Sequence, residues 1–332
     1  MKKQNLRKIA VSAVFLSIML FLSACMHSGA PGALVPSTVI EDTNLQSAVI
    51  LVAGQQRSIH YRTFGDTANP PLFIVHGSLS DMRAYLPLQI FCDRYYIVMW
   101  DMRGNGLSER VPKEELSPEV MVEEIEAVRR LFTPGRGITL FGHSWSAVFT
   151  ARYLGKYPKN VEQAILVEPF GLTAEIQQKA NVPMNLVSEG YLDMAFASGI
   201  VTPKDHESLD YRMLAMLHSG VRDYFCDIDN LPEWPVWRVG GLALLTWEAS
   251  LLDGGAWSYD FSFGLHDFPR KVLLIGSSCS PIGYSFQKEY NAPLFRDADT
   301  AEITNSGHRI VTEQFDQLVK VIKRYLSEYG GP

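Results

Sequence analysis

The chain has 332 residues, 47% of them hydrophobic and 20% charged, which is the composition of a globular protein with one large core and room for an insertion. A formal net charge of −6 offers no basic footprint for a phosphate backbone, so nucleic-acid binding is excluded as a function class.

Lys2, Lys3, Arg7 and Lys8 precede an apolar run from Ile9 to Leu22, which has the length of a signal-peptide core and is short for a membrane-spanning helix. The run ends in Leu22-Ser23-Ala24-Cys25, which resembles the bacterial lipobox. That resemblance predicts a signal peptide over residues 1–24, a lipid on the Cys25 sulfur, and a protein held on a membrane of the bacterial cell envelope. Met26 rather than Asp follows the cysteine, which by the same resemblance implies the outer membrane in a Gram-negative cell. Residues 25–45, rich in Gly, Ala, Pro and Ser, read as a flexible tether. Cys92, Cys226 and Cys279 are irregularly spaced, so they are expected to be reduced and packed as small apolar residues, with at most one bridge and no metal site.

Two β-rich stretches, Ala48–Val52 and Arg57–Phe64, predict an antiparallel hairpin at a sheet edge. After Pro70-Pro71 come short, continuously apolar runs, each followed by a helical segment: Leu72–Val75, Tyr95–Trp100, Ile138–Phe141, Ala164–Val167 and Val272–Ile275. Such runs are strands buried on both faces, and their alternation with helices predicts a mostly parallel, doubly wound α/β sheet. Between the second and third runs, Ser117-Pro118-Glu119 opens a helix with Ser as N-cap and Pro at the first position. The rhythm stops between about residues 172 and 268, a stretch rich in Trp, Met and Leu, which is read as a helical cap inserted into a core formed by 46–171 and 269–332.

Gly142-His143-Ser144-Trp145-Ser146 follows the Ile138–Phe141 strand and precedes a potential helix, the context of a nucleophile elbow in which small residues permit a tight turn that exposes the serine. Ser146 stands where the G-x-S-x-G pattern has Gly, and is small enough to fit. Three further segments lie in register with it: Phe73-Ile74-Val75-His76-Gly77-Ser78, the stretch Trp100-Asp101-Met102-Arg103-Gly104-Asn105-Gly106-Leu107-Ser108, and Asn305-Ser306-Gly307-His308 followed by a helix over about 313–326.

Together these segments resemble the α/β-hydrolase family from about residue 48 to the C-terminus, the cap excepted. The resemblance implies Ser144 as nucleophile, His308 as general base, and the backbone N–H groups of Ser78 and Trp145 as oxyanion donors, with no metal or other cofactor. His76 and His143 are expected to shape turns, and Asp101 and Arg103 to pair with each other. Most relatives carry an Asp after the strand equivalent to Val272–Ile275, whereas this chain reads Gly276-Ser277-Ser278-Cys279-Ser280-Pro281. The alternative within the fold is an acid at the end of the preceding strand, which selects Glu168; Asp267 is the weaker substitute.

The expected partner is a small-molecule substrate with an ester or amide bond. The Gly142–Trp145 and Asp101 segments, with Glu248 in the cap, also resemble proline iminopeptidases, although His76-Gly77-Ser78-Leu79-Ser80 departs from their His-Gly-Gly-Pro-Gly loop. A serine at 144 disfavours dehalogenase or epoxide hydrolase chemistry, which needs Asp there. A binding protein that keeps the fold with little turnover is the third possibility.

Overall fold

The structure, a computed structural model, describes residues 36–180, 205–210, 213, 225–227, 229 and 233–329. The signal peptide expected over residues 1–24 and the expected lipidation site Cys25 lie outside them, as does much of the 172–268 segment. Among the described residues no helix is long and apolar enough to cross a membrane.

Eight strands form the main sheet, in the order β1-β2-β4-β3-β5-β6-β9-β10. They are β1 (Ser47–Val52), β2 (Gln55–Phe64), β3 (Pro71–Val75), β4 (Tyr96–Trp100), β5 (Ile138–His143), β6 (Val161–Val167), β9 (Val272–Ser277) and β10 (Ala298–Ile303). A separate hairpin pairs β7 (Leu252–Asp253) with β8 (Ala256–Trp257). The first two strands of the sheet run antiparallel, joined by Ala53-Gly54 with φ of 51° and 77°, a left-handed pair that matches the twist of a tight hairpin. From β4 to β10 every pairing is parallel.

The apolar runs form strands because both of their faces are covered. Phe73, Val75, Val98 and Trp100 enter the core on one side, beneath α1 (Pro118–Phe132) and α2 (Trp145–Lys156). Their neighbours Leu72, Ile74, Ile97 and Met99 face the other side, against the 3-10 segment Met82–Phe91 and the C-terminal helix, Phe315–Tyr329. Ser117 caps α1 as expected, its side chain accepting from Val120 N–H, with Pro118 opening the helix. The edge strand β10 is not foreseen by hydropathy; its polar residues are half-buried or exposed.

The expected Asp101–Arg103 pair does not form. Asp101, fully buried, instead accepts hydrogen bonds from the N–H groups of Met82 and Leu107 and contacts His60 Nδ1, each at 2.8 Å. Gly106 at φ 46° makes this possible, since a Cβ there would come within 2.1 Å of Asp101 Cγ. Arg103 turns to Glu124 on α1, Nε to Oε2 at 2.6 Å, while Glu124 Oε1 also accepts from Arg103 N–H and Trp100 Nε1–H. A guanidinium desolvated this completely needs a carboxylate in contact, and the side chain two residues away is already committed elsewhere. Glu124→Gln leaves Glu115, 3.6 Å from Nη1, as the only carboxylate on that cation among the described residues. The expected cost is about 3 kcal/mol, read as a lowered midpoint in equilibrium denaturant unfolding; an unchanged midpoint would show that Glu115 suffices.

One bridge forms among the three cysteines, the most that the sequence reading allowed. Cys226 and Cys279 form a disulfide with Cα atoms 5.3 Å apart, and Cys92 remains a thiol. The bridge ties residue 226 of the insertion to the loop after β9, closing a long chain loop that sequence spacing does not reveal.

Candidate active site

Parallel pairing places the ends of β5, β6 and β9 side by side, with His143 opposite Val167 and Val167 opposite Ile275. The residues that leave these strands therefore meet at the carboxyl edge of the sheet, where ligand sites of open α/β folds lie. Ser144 leaves β5 at φ 62° and ψ −130°, a conformation unfavourable for any residue with a Cβ, and α2 begins at the next residue. Three groups hold the turn. Gly142 has no room for a Cβ, which would lie 2.5 Å from Thr150 Oγ1 and 2.8 Å from the Ser146 carbonyl. Ser144 N–H donates to the Val167 carbonyl at 2.9 Å. Ser146 does more than fit: its hydroxyl accepts from His143 N–H at 2.9 Å and reaches the Val75 carbonyl at 2.8 Å, tying the elbow to the end of β3.

Glu168 leaves β6 with φ 42°, and its N–H donates to the Ile275 carbonyl. The carboxylate is fully buried and fully used. Oε2 lies 2.6 Å from His308 Nδ1, while Oε1 accepts from Ser277 N–H at 2.6 Å and from the Ser277 hydroxyl at 2.5 Å. The loop after β9, which lacks the usual acid, thus contributes donors to an acid from the neighbouring strand. Sequence reading missed Ser277; the signal available was its position, two residues past Ile275, the strand partner of Val167. Asp267 is exposed and precedes β9, at the far end of that strand from His308.

His308 follows β10, and its ring lies 4.9 Å from that of His143, the residue before Ser144. Its loop is tethered on several sides. Asn305 N–H donates to Ser278 Oγ, Cys279 N–H to the Ser306 carbonyl, and Gly307 N–H to Glu313, whose Oε2 also accepts from Cys226 N–H. The disulfide and Glu313 therefore draw Cys226, the post-β9 loop and the histidine loop together.

On the opposite side of Ser144, a Cβ on Gly77 would stand 3.2 Å from Ser144 Cβ, so the His76-Gly77-Ser78 turn lies directly against the serine. His76 shapes this turn as expected. Its Nε2 accepts from Met102 N–H at 2.9 Å, so the proton sits on Nδ1 and is donated to the Gly77 carbonyl at 2.8 Å. Burial lowers its pKa, in keeping with a neutral ring. The N–H groups of Ser78 and Trp145 have no hydrogen-bond acceptor among the described residues, and Trp145 opens α2, where helix N–H groups are unpaired. The insertion reaches this turn too: Trp234 Nε1–H donates to the Leu79 carbonyl, and Trp237 and Arg238 N–H to buried Asp81.

A mostly parallel α/β sheet with a strained serine between its fifth strand and a helix, and a buried His–Glu pair at neighbouring strand ends, defines the hydrolase type of α/β protein. The chain belongs to the alpha/beta hydrolase fold family, whose model matches residues 70–310. It is 23% identical over 282 residues to the proline iminopeptidase PfmaB of Pestalotiopsis fici, covering 81% of this chain and 95% of that protein. Lipase 1 of Psychrobacter immobilis is 22% identical over 188 residues, 54% of this chain and 56% of the lipase. Among solved structures, a thermophilic esterase from Thermogutta terrifontis superposes with a TM-score of 0.60 at 16% identity, over 86% of this chain and all of that one.

Proposed function

We propose that this protein is a serine hydrolase that cleaves an ester or amide bond of a small substrate through an acyl-enzyme. The observation that carries the reading is the 2.6 Å contact of Glu168 with His308 Nδ1, beside a serine held at positive φ. In this mechanism Ser144 Oγ attacks the substrate carbonyl carbon while His308 Nε2 takes its proton. Glu168 keeps the ring in the tautomer with Nδ1 protonated and stabilises the imidazolium. The N–H groups of Ser78 and Trp145 receive the developing oxyanion. Collapse expels the alcohol or amine with the proton from the imidazolium, and water then repeats the sequence to release the acid. Residues 172–268 serve as a cap over this site, and lipidation at Cys25, carried by the lipobox resemblance, holds the enzyme on the envelope membrane.

A proline-iminopeptidase-like activity is the second reading. The similarity to an enzyme of that name supports it, and Glu248 on the helix Gly241–Ser250 is the residue that the resemblance would assign to the substrate's amino group. Turnover of a prolyl anilide well above that of a small acyl ester would favour it.

A fluorophosphonate probe tests the common mechanism. One adduct per chain is expected, mapping by peptide mass to Ser144. No adduct, or one on another residue, would overturn the assignment.

A further inference from the structure

A line of hydrogen bonds runs beneath Ser144 from one side of the site to the other. Gly77 N–H donates to the Tyr85 hydroxyl oxygen at 3.0 Å, that oxygen lies 2.5 Å from His143 Nδ1, and His143 Nε2 lies 2.9 Å from the main-chain carbonyl oxygen of His308. Proton placement along this line has one solution. A carbonyl only accepts, so His143 Nε2 carries a hydrogen. A neutral imidazole has a single N–H, so Nδ1 accepts, and the Tyr85 hydroxyl must donate to it while receiving Gly77 N–H. The ring is neutral: complete burial, with further repulsion from His308 and Arg309, lowers its pKa well below the ordinary histidine value. Burial likewise raises the Tyr85 pKa, so the phenol keeps the proton that the line requires.

We propose that Tyr85 and His143 are positioning residues that form a strut between the oxyanion turn and the general-base loop, holding both at a set distance on either side of Ser144. The proposal rests on the serine-hydrolase reading. Neither side chain meets the reacting atoms. Because the strut occupies Gly77 N–H, the following N–H, that of Ser78, is left for the oxyanion. At its other end the strut grips the main chain of His308, fixing the histidine independently of the Glu168 contact. The Tyr85 ring is locked by edge contacts with Phe141 and Trp234, 6.3 and 6.5 Å between centroids, so its hydroxyl is held in place without loop flexibility.

Tyr85→Phe keeps those ring contacts and removes only the hydroxyl, leaving Gly77 N–H and His143 Nδ1 unpaired. Normalised to sites titrated with the fluorophosphonate, kcat is expected to fall about 10- to 100-fold with KM within about threefold, as for other small misplacements of catalytic groups. A merely structural defect would lower the number of titratable sites and leave kcat per site unchanged. The second measurement needs no variant. In wild-type protein with ¹⁵N-labelled histidine, the His143 ring is expected to show the neutral tautomer with Nε2 protonated from about pH 5 to 9. In Tyr85→Phe its Nδ1 resonance should move. A wild-type ring protonated on Nδ1, or titrating within that range, would overturn the strut, as would a Tyr85→Phe enzyme with wild-type kcat per site. Wild-type protein that takes no fluorophosphonate would instead sink the serine-hydrolase reading, and the positioning role with it.

Discussion

Ser144→Ala is expected to lower kcat for a small acyl ester on the order of 10⁵- to 10⁶-fold, the scale of nucleophile removal in a serine protease, while leaving the protein folded. The fold survives because what holds the elbow is not the serine hydroxyl. Ser144 N–H still reaches the Val167 carbonyl, its own carbonyl still accepts from Ala147 and Val148, and Gly142 and Ser146 keep the turn closed. Alanine also carries a Cβ, so at φ 62° it bears the same backbone strain as serine and stability should change little. Glycine does not. Ser144→Gly is therefore expected to be equally inactive but about 1 kcal/mol more stable in denaturant unfolding, a direct reading of the strain kept at the site. A Ser144→Ala enzyme with measurable wild-type turnover would place the nucleophile elsewhere.

What could be read in the amino-acid order follows from how local each determinant is. Strands β3 to β6 and β9 are buried on both faces, so their apolar runs are visible without knowing any partner. Strand β10 is an edge, with Asp299 at the surface held to Lys271, and a polar half-exposed strand has no such signature. The elbow and the histidine loop are legible because small residues at fixed offsets are needed to make those turns. Glu168 is legible because a residue that leaves a parallel strand at its carboxyl end has few places to go. Pairings over long separation are not legible: Arg103 takes Glu124 from α1, and Cys226 finds Cys279 across 53 residues. The strut escaped for the same reason, since Tyr85 and His143 lie 58 residues apart. Each looks in sequence like an ordinary core aromatic and a turn histidine.

Glu168→Gln is expected to lower kcat at least about a hundredfold with KM little changed, because the interaction it removes matters in the transition state rather than in binding. The hydrogen bonds around Glu168 decide how the amide must sit. Its Oε1 position faces Ser277 N–H, a backbone donor that cannot be reversed, so the glutamine carbonyl has to remain there. The amide NH₂ is then turned toward His308 Nδ1, where the carboxylate oxygen had been. Two donors cannot share that contact, so the ring is driven to the tautomer with Nδ1 bare and Nε2 protonated. In that form Nε2 has no lone pair with which to take the Ser144 proton. The equivalent change in a serine protease triad costs about 10⁴ in kcat, and the fully buried, doubly anchored carboxylate here favours a loss toward that figure. Asp267→Asn, at an exposed position before β9, should stay within about twofold of wild type on the small scale of surface changes. Glu168→Gln activity within a few-fold of wild type, or a larger loss from Asp267→Asn, would mean that another carboxylate serves His308.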